Sequence, residues 1–385
     1  MKKIALHSHL KGNIGHVFMS MGFEEILANL YADHCSITHF EQHNHFCIYP
    51  SYNPLRILDY VRHGKLSSLR HYLARDDVYK KLWSLSKDLS HFNCVIACGG
   101  PSLTRGIGSV PEMKLMYLHQ FGAFQYYSVP SLDLGLGSGG FPLHYQDIEI
   151  PDTYFSKLDI EYFDTLFSYT TRTVVRDVFA QRLCNYLHRD AQILPCAAFL
   201  SGIQFEKLDS SILSSSKRKT IVINYQESGA NDAWDQIIDK DKYRSTIMHF
   251  AMSIKKDYNV LFLCHNSKEV RDFHTLDLKF DYVWPKSKSE YCDHLKEAYA
   301  GVASRIHAAI PMASVGVPVL GIGTDTRLGT LTEFGLKTCF VNDITLDYLI
   351  SFVQSINPAY ERDRLLTRRN ILIDSYSKLI SETIS

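Results

Sequence analysis

Arg305 and His307 stand at the head of an otherwise small and apolar stretch, YAGVASRIHAAIPMASVGVPVLGIGTDTR (299–327). A guanidinium grips a carboxylate or a phosphate through two parallel hydrogen bonds. An imidazole can move protons near neutral pH. The run YAGVAS reads as a buried strand, and Ser304 suits the cap of the helix after it. Arg305 and His307 then fall in that helix's first turn, beside unpaired backbone N–H groups and the positive end of the dipole. Three cooperating parts thus make an anion site. Asp325 and Arg327 lie just past the next strand, GVPVLGIG.

Other reactive side chains sit at similar places. Arg176 lies near the start of a helix read from TRTVVRDVFAQRLC, and His265 follows the strand run NVLFLCHN. Gln226, Glu227 and Asn231 follow the strand KTIVINYQ. His7, His9 and His16 surround an opening loop that holds Gly12, Asn13 and Gly15, and Gly99 and Gly100 end the strand NCVIACGG. Phe124, Tyr126 and Tyr127 are aromatic candidates for a sugar face near another strand end. His34, Cys35, His39, His43, His45 and Cys47 crowd one segment, but their spacing matches no standard zinc pattern, and no metal is assigned.

Strand runs alternate with helical runs along the whole chain, which calls for parallel sheets covered by helices. The serine-rich, polar segment 208–220 interrupts the alternation and reads as a linker. The expected architecture is α/β: two Rossmann-like domains facing a cleft, a GT-B-like arrangement. Residues 1–207 form the first domain and 221–345 the second. The helical segment 346–385 crosses back onto the first. Loops at strand C-termini then face the cleft.

Composition narrows the classes. Of 385 residues 45% are hydrophobic and 21% charged, as in ordinary globular chains. The 41 basic and 41 acidic side chains cancel, which argues against a broad basic surface for nucleic acid. No apolar run reaches the ~20 residues that span a bilayer. The start has no signal-peptide core. Nine scattered cysteines with no CxxC pair fit reduced thiols. A cytoplasmic chain is expected.

These motifs together resemble the polysaccharide pyruvyl transferase family. The segment SRIHAAIPMASVGVPVLGIGTDTRLGTLTEFG is similar to that family's Arg-x-His helix, Gly-Val-Pro strand and Asp-x-basic loop. KGNIGHVFMSMG resembles its Gly-Asn-x-Gly-Asp opening, ACGGPSL its paired-glycine strand end, TRTVVRDVFAQRLC its Val-Arg-Asp/Glu helix start, and ILPCAA its Asp-Pro-Ala strand end. The chain departs at three positions: His16 and Cys196 stand where the family has Asp, and Arg327 where it has Lys. The resemblance implies transfer of the enolpyruvyl unit of phosphoenolpyruvate to a sugar of a cell-surface polysaccharide or its lipid-linked precursor, forming a ketal without a further cofactor. It gives His307 the role of general acid and Arg305, Arg327 and Arg176 the donor's two charges. Ser304, Gly12, Asn13, Gly15, His16, Gly99, Gly100 and His265 are the remaining expected contacts. Membrane contact would be peripheral, through the acceptor. Two other readings use the same cleft: a glycosyltransferase with a nucleotide-sugar donor, and a non-catalytic binder of carbohydrate or anions.

Overall fold

The computed structural model describes residues 1–8, 14–41, 83, 86–110, 121–147, 149–151, 153–213, 218–229 and 236–384. Thirteen strands among these residues form two sheets, and every strand pair is parallel. The first sheet holds β1 (Lys2–Ser8), β2 (Cys35–Glu41), β3 (Cys94–Ala97), β4 (Gly100–Leu103), β5 (Ser131–Ser138), β6 (Arg172–Val175) and β7 (Gln192–Ile193). Its order is β2-β1-β3-β5-β6-β7, with β4 paired to β5. The second holds β8 (Thr220–Asn224), β9 (Asn259–Leu263), β10 (Asp281–Val283), β11 (Ala298–Ala303), β12 (Val319–Gly323) and β13 (Lys337–Phe340), in the order β10-β9-β8-β11-β12-β13.

That second order is the doubly wound one, in which the chain reverses direction across the sheet between β8 and β11. Diverging connections leave a crevice outside the carboxyl ends of those two strands, and ligands of such sheets bind there. The two central strands are buried on both faces, so β8 reads TIVIN and β11 AYAGVA without a polar alternation.

Local readings needed three corrections. DTLFSY, which by its sequence reads as a strand, belongs to the helix Lys157–Tyr169, whose cap Ser156 and reciprocal Asp159 form a capping box. The strand follows at Arg172–Val175, and the next helix starts at Val178, capped by Asp177 rather than near Thr173. Residues 121–126 are helical, so Phe124, Tyr126 and Tyr127 do not end a strand; Phe124 is buried in the first domain's core. Within 208–213 the chain is not a bare linker: Ser210–Ile212 makes a short 3-10 turn and Ile212 is fully buried.

The two halves are sewn together beside the crevice. The helix Ile306–Ser314 has every residue from Ala308 to Ser314 buried. Gly202 lets it approach closely, since a Cβ there would lie 2.3 Å from the Ser314 carbonyl oxygen. Ser138 and Thr326 share a buried hydroxyl contact of 3.0 Å, Thr326 N donates to the Phe141 carbonyl at 3.0 Å, and the Thr330 hydroxyl donates to Asp177 at 3.1 Å. The last helix, Pro358–Thr383, does return to the first half. Its Tyr376 packs on Phe23 and donates to the Pro195 carbonyl, and Lys2 reaches the Ile384 carbonyl.

Candidate functional site

A cavity of about 410 Å³ opens at the carboxyl ends of β8 and β11 and is closed on its far side by the first domain. His16, Arg176, Ser304, Arg305, His307 and Arg327 all border it. They come from four segments spread over more than three hundred positions, which the two sheets bring to one place.

Arg176 is the decisive side chain. It follows β6, is 3% exposed, and its guanidinium lies flat against the strand at Gly137, where a Cβ would sit 2.3 Å from its Nε. Nε has no hydrogen-bond partner, and no carboxylate among the described residues pairs with this cation. A buried, unpaired cation is costly. Its neighbour Asp177 turns away, accepting from the Ala180 N–H at 2.7 Å and from Thr330, and burial pushes that carboxyl's pKa up. The positive charge is thus directed into the cavity.

Arg305 is held differently. Its Nε donates to Glu269 at 2.7 Å and Nη2 lies 2.6 Å from the same oxygen, on a carboxylate that is fully buried. Glu269 also accepts from the Asn224 side chain at 2.7 Å and the His265 N–H at 2.8 Å. Asn224 in turn accepts from the Arg305 N–H at 3.0 Å. One edge of the guanidinium is therefore fixed, while Nη1 has no hydrogen-bond partner among the described residues. Arg327 folds back on Asp325, with Nε at 2.8 and 2.9 Å from its two oxygens. Its charge is largely compensated, and among the three arginines it is the weakest grip.

Ser304 does not cap the helix. Its hydroxyl is taken by Tyr243 at 2.6 Å and its N–H by the Asn224 carbonyl, so the chain stays extended through Arg305, which occupies the cap position without a side-chain cap bond. The helix begins at Ile306, and His307 is in its first turn. His307 is half-buried and faces the cavity. Burial first, then electrostatic interaction with Arg176, His16 and Arg305, holds its pKa well below the ordinary value. The Cys196 thiol is 3.7 Å from its Nε2, and the His16 ring meets it edge-on at 6.2 Å.

Several expected contacts do not border the cavity. His265 is 1% exposed and spends its Nε2 on the Tyr291 hydroxyl at 3.2 Å, so it lies behind the wall rather than in it. Gly99 and Gly100 shape the backbone: Gly99 has φ +77°, and a Cβ there would be 2.3 Å from the Gly135 carbonyl oxygen. Pro101, next in the chain, borders the cavity instead. Gly15 is buried in the first turn of the helix Ile14–Tyr31. Gly12, Asn13, Asn231, His43, His45 and Cys47 lie outside the described residues. Among the described residues no three His, Cys, Asp or Glu side chains gather as a metal site.

The structure adds groups to the wall. Lys268 borders the cavity while bonded to Asp272 at 3.0 Å. Gln226, 5% exposed, brings an unpartnered Oε1 to it. The anchoring pair Asn224 and Glu269 was not foreseen. Their signal was present: a polar residue ending an apolar strand, and an acid two positions into a helix capped by Asn266.

Comparison with known proteins bears on the family and the fold. Residues 34–326, about three quarters of the chain, match the family described as polysaccharide pyruvyl transferase. No curated protein matches the chain. Among solved structures, UDP-GlcNAc 2-epimerase from Neisseria meningitidis bound to UDP-GlcNAc superimposes with a TM-score of 0.53 at 12% identity, covering 100% of this chain and 99% of that one. A UDP-N-acetylglucosamine 2-epimerase from Listeria monocytogenes, described there as putative, gives 0.54 at 10% identity over 99% and 97%. Anabaena Alr3699/HepE in complex with UDP and glucose gives 0.53 at 8% identity over 100% and 99%. These likenesses establish the two-domain α/β architecture. No described helix is long and apolar enough to cross a membrane.

Proposed function

The chain belongs to the polysaccharide pyruvyl transferase family and is a transferase; on that premise we propose that it moves the enolpyruvyl group of phosphoenolpyruvate onto two hydroxyls of a sugar in a polysaccharide or its lipid-linked precursor. The observation that carries the reading is Arg176: a buried cation without a carboxylate ion-pair partner among the described residues, bordering a cavity that also holds Arg305 and His307. Such a site calls for a small, strongly anionic ligand. Phosphoenolpyruvate brings a carboxylate and a phosphate on the same carbon, C2. Arg176 and the free edge of Arg305 are the two grips, assisted by the N–H groups at the head of the helix Ile306–Ser314 and by Lys268 at the wall.

The chemistry follows from the same placement. A proton goes to the methylene carbon, which becomes the methyl group, and positive charge develops at C2. One sugar hydroxyl attacks C2 and loses its proton. The C2–O bond to phosphate then breaks, the second hydroxyl attacks, and its proton leaves with the phosphate. Protons balance: one enters at the methylene, two leave the hydroxyls, and the surplus one departs on hydrogen phosphate. His307 is the donor of the first proton and takes it back from the first hydroxyl. General acid help of this kind is worth ~10²–10⁴-fold. His307 is neutral without ligand, so the incoming dianion must raise its proton affinity before it can act.

The test is to incubate the protein with phosphoenolpyruvate labelled at C2 and a reducing-end-protected oligosaccharide. A quaternary ketal carbon together with released phosphate is the expected result. His307→Ala should lose turnover more than donor affinity, and Arg305→Ala should lose both. Thermal stabilisation by UDP-sugars and none by phosphoenolpyruvate would overturn the reading in favour of a nucleotide-sugar enzyme.

A further inference from the structure

A second groove of about 480 Å³ lies on the other side of the Asp325–Thr332 turn from the anion cavity. Leu328 borders both, so the two spaces adjoin through one side chain. Leu143 contributes a wall from the first domain, and the rest comes from the second.

The groove's chemistry is the opposite of its neighbour's. No lysine or arginine lines it among the described residues. Its carboxylate is Asp343, exposed and without a hydrogen bond among those residues. Tyr348, 39% exposed, lines the same groove. Thr332, Thr338 and Thr345 add hydroxyls. Thr345 accepts from the Tyr348 N–H at 3.2 Å, which uses a lone pair and leaves its proton available.

We propose that this groove binds the uncharged carbohydrate chain of the acceptor, next to the sugar that enters the anion cavity. The inference rests on the function proposed above. An aromatic face suits the C–H face of a pyranose, and a carboxylate with hydroxyls suits its hydroxyl donors. A phosphate or nucleotide would meet Asp343, while Lys242 nearby already gives its ammonium to the Asn342 carbonyl. Volume fits as well, since ligand sites generally span ~300–1,000 Å³. The division of labour is then physical: the cationic cavity selects the donor, and the neutral groove selects the sugar chain.

Saturation-transfer NMR with lactose, maltose, cellobiose and N,N′-diacetylchitobiose tests this without any turnover. Transfer to at least one disaccharide is expected. Tyr348→Ala and Asp343→Ala should each weaken it at least tenfold, and Tyr348→Phe should retain it. Both truncated side chains are exposed, so an unchanged thermal midpoint checks the fold. Absence of transfer from all four sugars, or equal binding by Tyr348→Ala, overturns the proposal. Calorimetry with phosphoenolpyruvate alone separates the two readings. If the donor fails to bind while the disaccharide loss persists, the transferase reading falls and the carbohydrate groove stands; the reverse pattern removes only the groove.

Discussion

The Cys196 thiol stands 3.7 Å from Nε2 of His307, in the place where the resemblance to the family led one to expect a carboxylate. A thiol whose own pKa is raised by burial brings no charge to the imidazole. His307 is thus surrounded by cations and burial alone, all of which lower its pKa. Cys196→Asp supplies the missing anion. A carboxylate at this range should raise the imidazole's pKa by roughly 1–3 units. The basic limb of the pH–rate profile should move up accordingly, while the KM for phosphoenolpyruvate rises because the new charge opposes the donor. Cys196→Ser should leave the limb in place. Identical limbs in Cys196→Asp and wild type would show that His307 does not set it.

Arg176 should display function and stability pulling in opposite directions. Its buried Nε has no hydrogen-bond partner among the described residues, and the adjacent Asp177 acts on it through space without an ion-pair contact, so an isosteric apolar replacement removes a poorly compensated charge. Arg176→Met should raise the thermal midpoint of the ligand-free protein by several degrees. The same change should weaken phosphoenolpyruvate by about two orders of magnitude or more, the cost of truncating a buried charge pair being ~2–5 kcal/mol. Calorimetric titration and thermal melts of the two proteins check both halves. A loss of stability in Arg176→Met would mean that the arginine serves the fold.

Much of the architecture was legible because parallel strands buried on both faces leave long apolar runs, and helices between them leave amphipathic ones. The convergence of Arg305, His307 and Arg327 was legible for the same reason: strand ends in a doubly wound sheet share one edge. The sequence could not reveal that the Ser304 hydroxyl is spent on Tyr243, which moves the helix start by a residue. Nor could it show that Glu269 claims one edge of Arg305, since the two are 36 positions apart and meet only after β9 and β11 are set beside β8. His265 misled for a related reason. A strand end places a residue near the crevice but does not fix which way its side chain turns, and this one turned inward to Tyr291.

Stability should fall on mild acidification, with His7 a measurable part of the slope. His7 is 2% exposed among Phe40, Phe121 and Phe124, its Nε2 is unpartnered, and burial pushes its pKa down to about 3. Between the unfolded value near 6.5 and that folded value, the unfolded chain binds a proton that the folded one refuses. His7 therefore supports the fold fully above pH 6.5, and that support drains away as pH falls, at up to about 1.4 kcal/mol per unit. Asp133 acts in the opposite sense. It sits across Ala97 from His7 in the sheet, burial pushes it up to about 7, and the folded chain keeps a proton that the unfolded one releases. Urea midpoints between pH 7.5 and 4.5 should show a shallower decline for His7→Leu and a steeper one for Asp133→Asn. Parallel curves for wild type and His7→Leu would refute the assignment.

Donor binding should carry a proton into the protein. Without ligand, His307 is held neutral by burial and by Arg176, His16 and Arg305. In the proposed donor complex, phosphoenolpyruvate places a carboxylate and a phosphate dianion against the same two arginines. Their positive influence on the imidazole is then cancelled, and the nearby full negative charges exceed the opposing partial charge, ~+0.5, of the helix terminus. The proton affinity of His307 therefore rises on binding, and near pH 7.5 the complex should take up a fraction of a proton that grows as the pH is lowered toward 6.5. Calorimetric titrations in phosphate-free buffers of low and high ionisation enthalpy report this uptake as a difference in apparent binding enthalpy. In His307→Ala the difference should shrink to what the ligand's own phosphate contributes, while the affinity changes by less than about tenfold, since Arg176 and Arg305 still hold the anion by charge-assisted bonds. Buffer-independent enthalpies for the wild type would mean that His307 stays neutral in the donor complex, and the general acid would have to be sought elsewhere in the cavity.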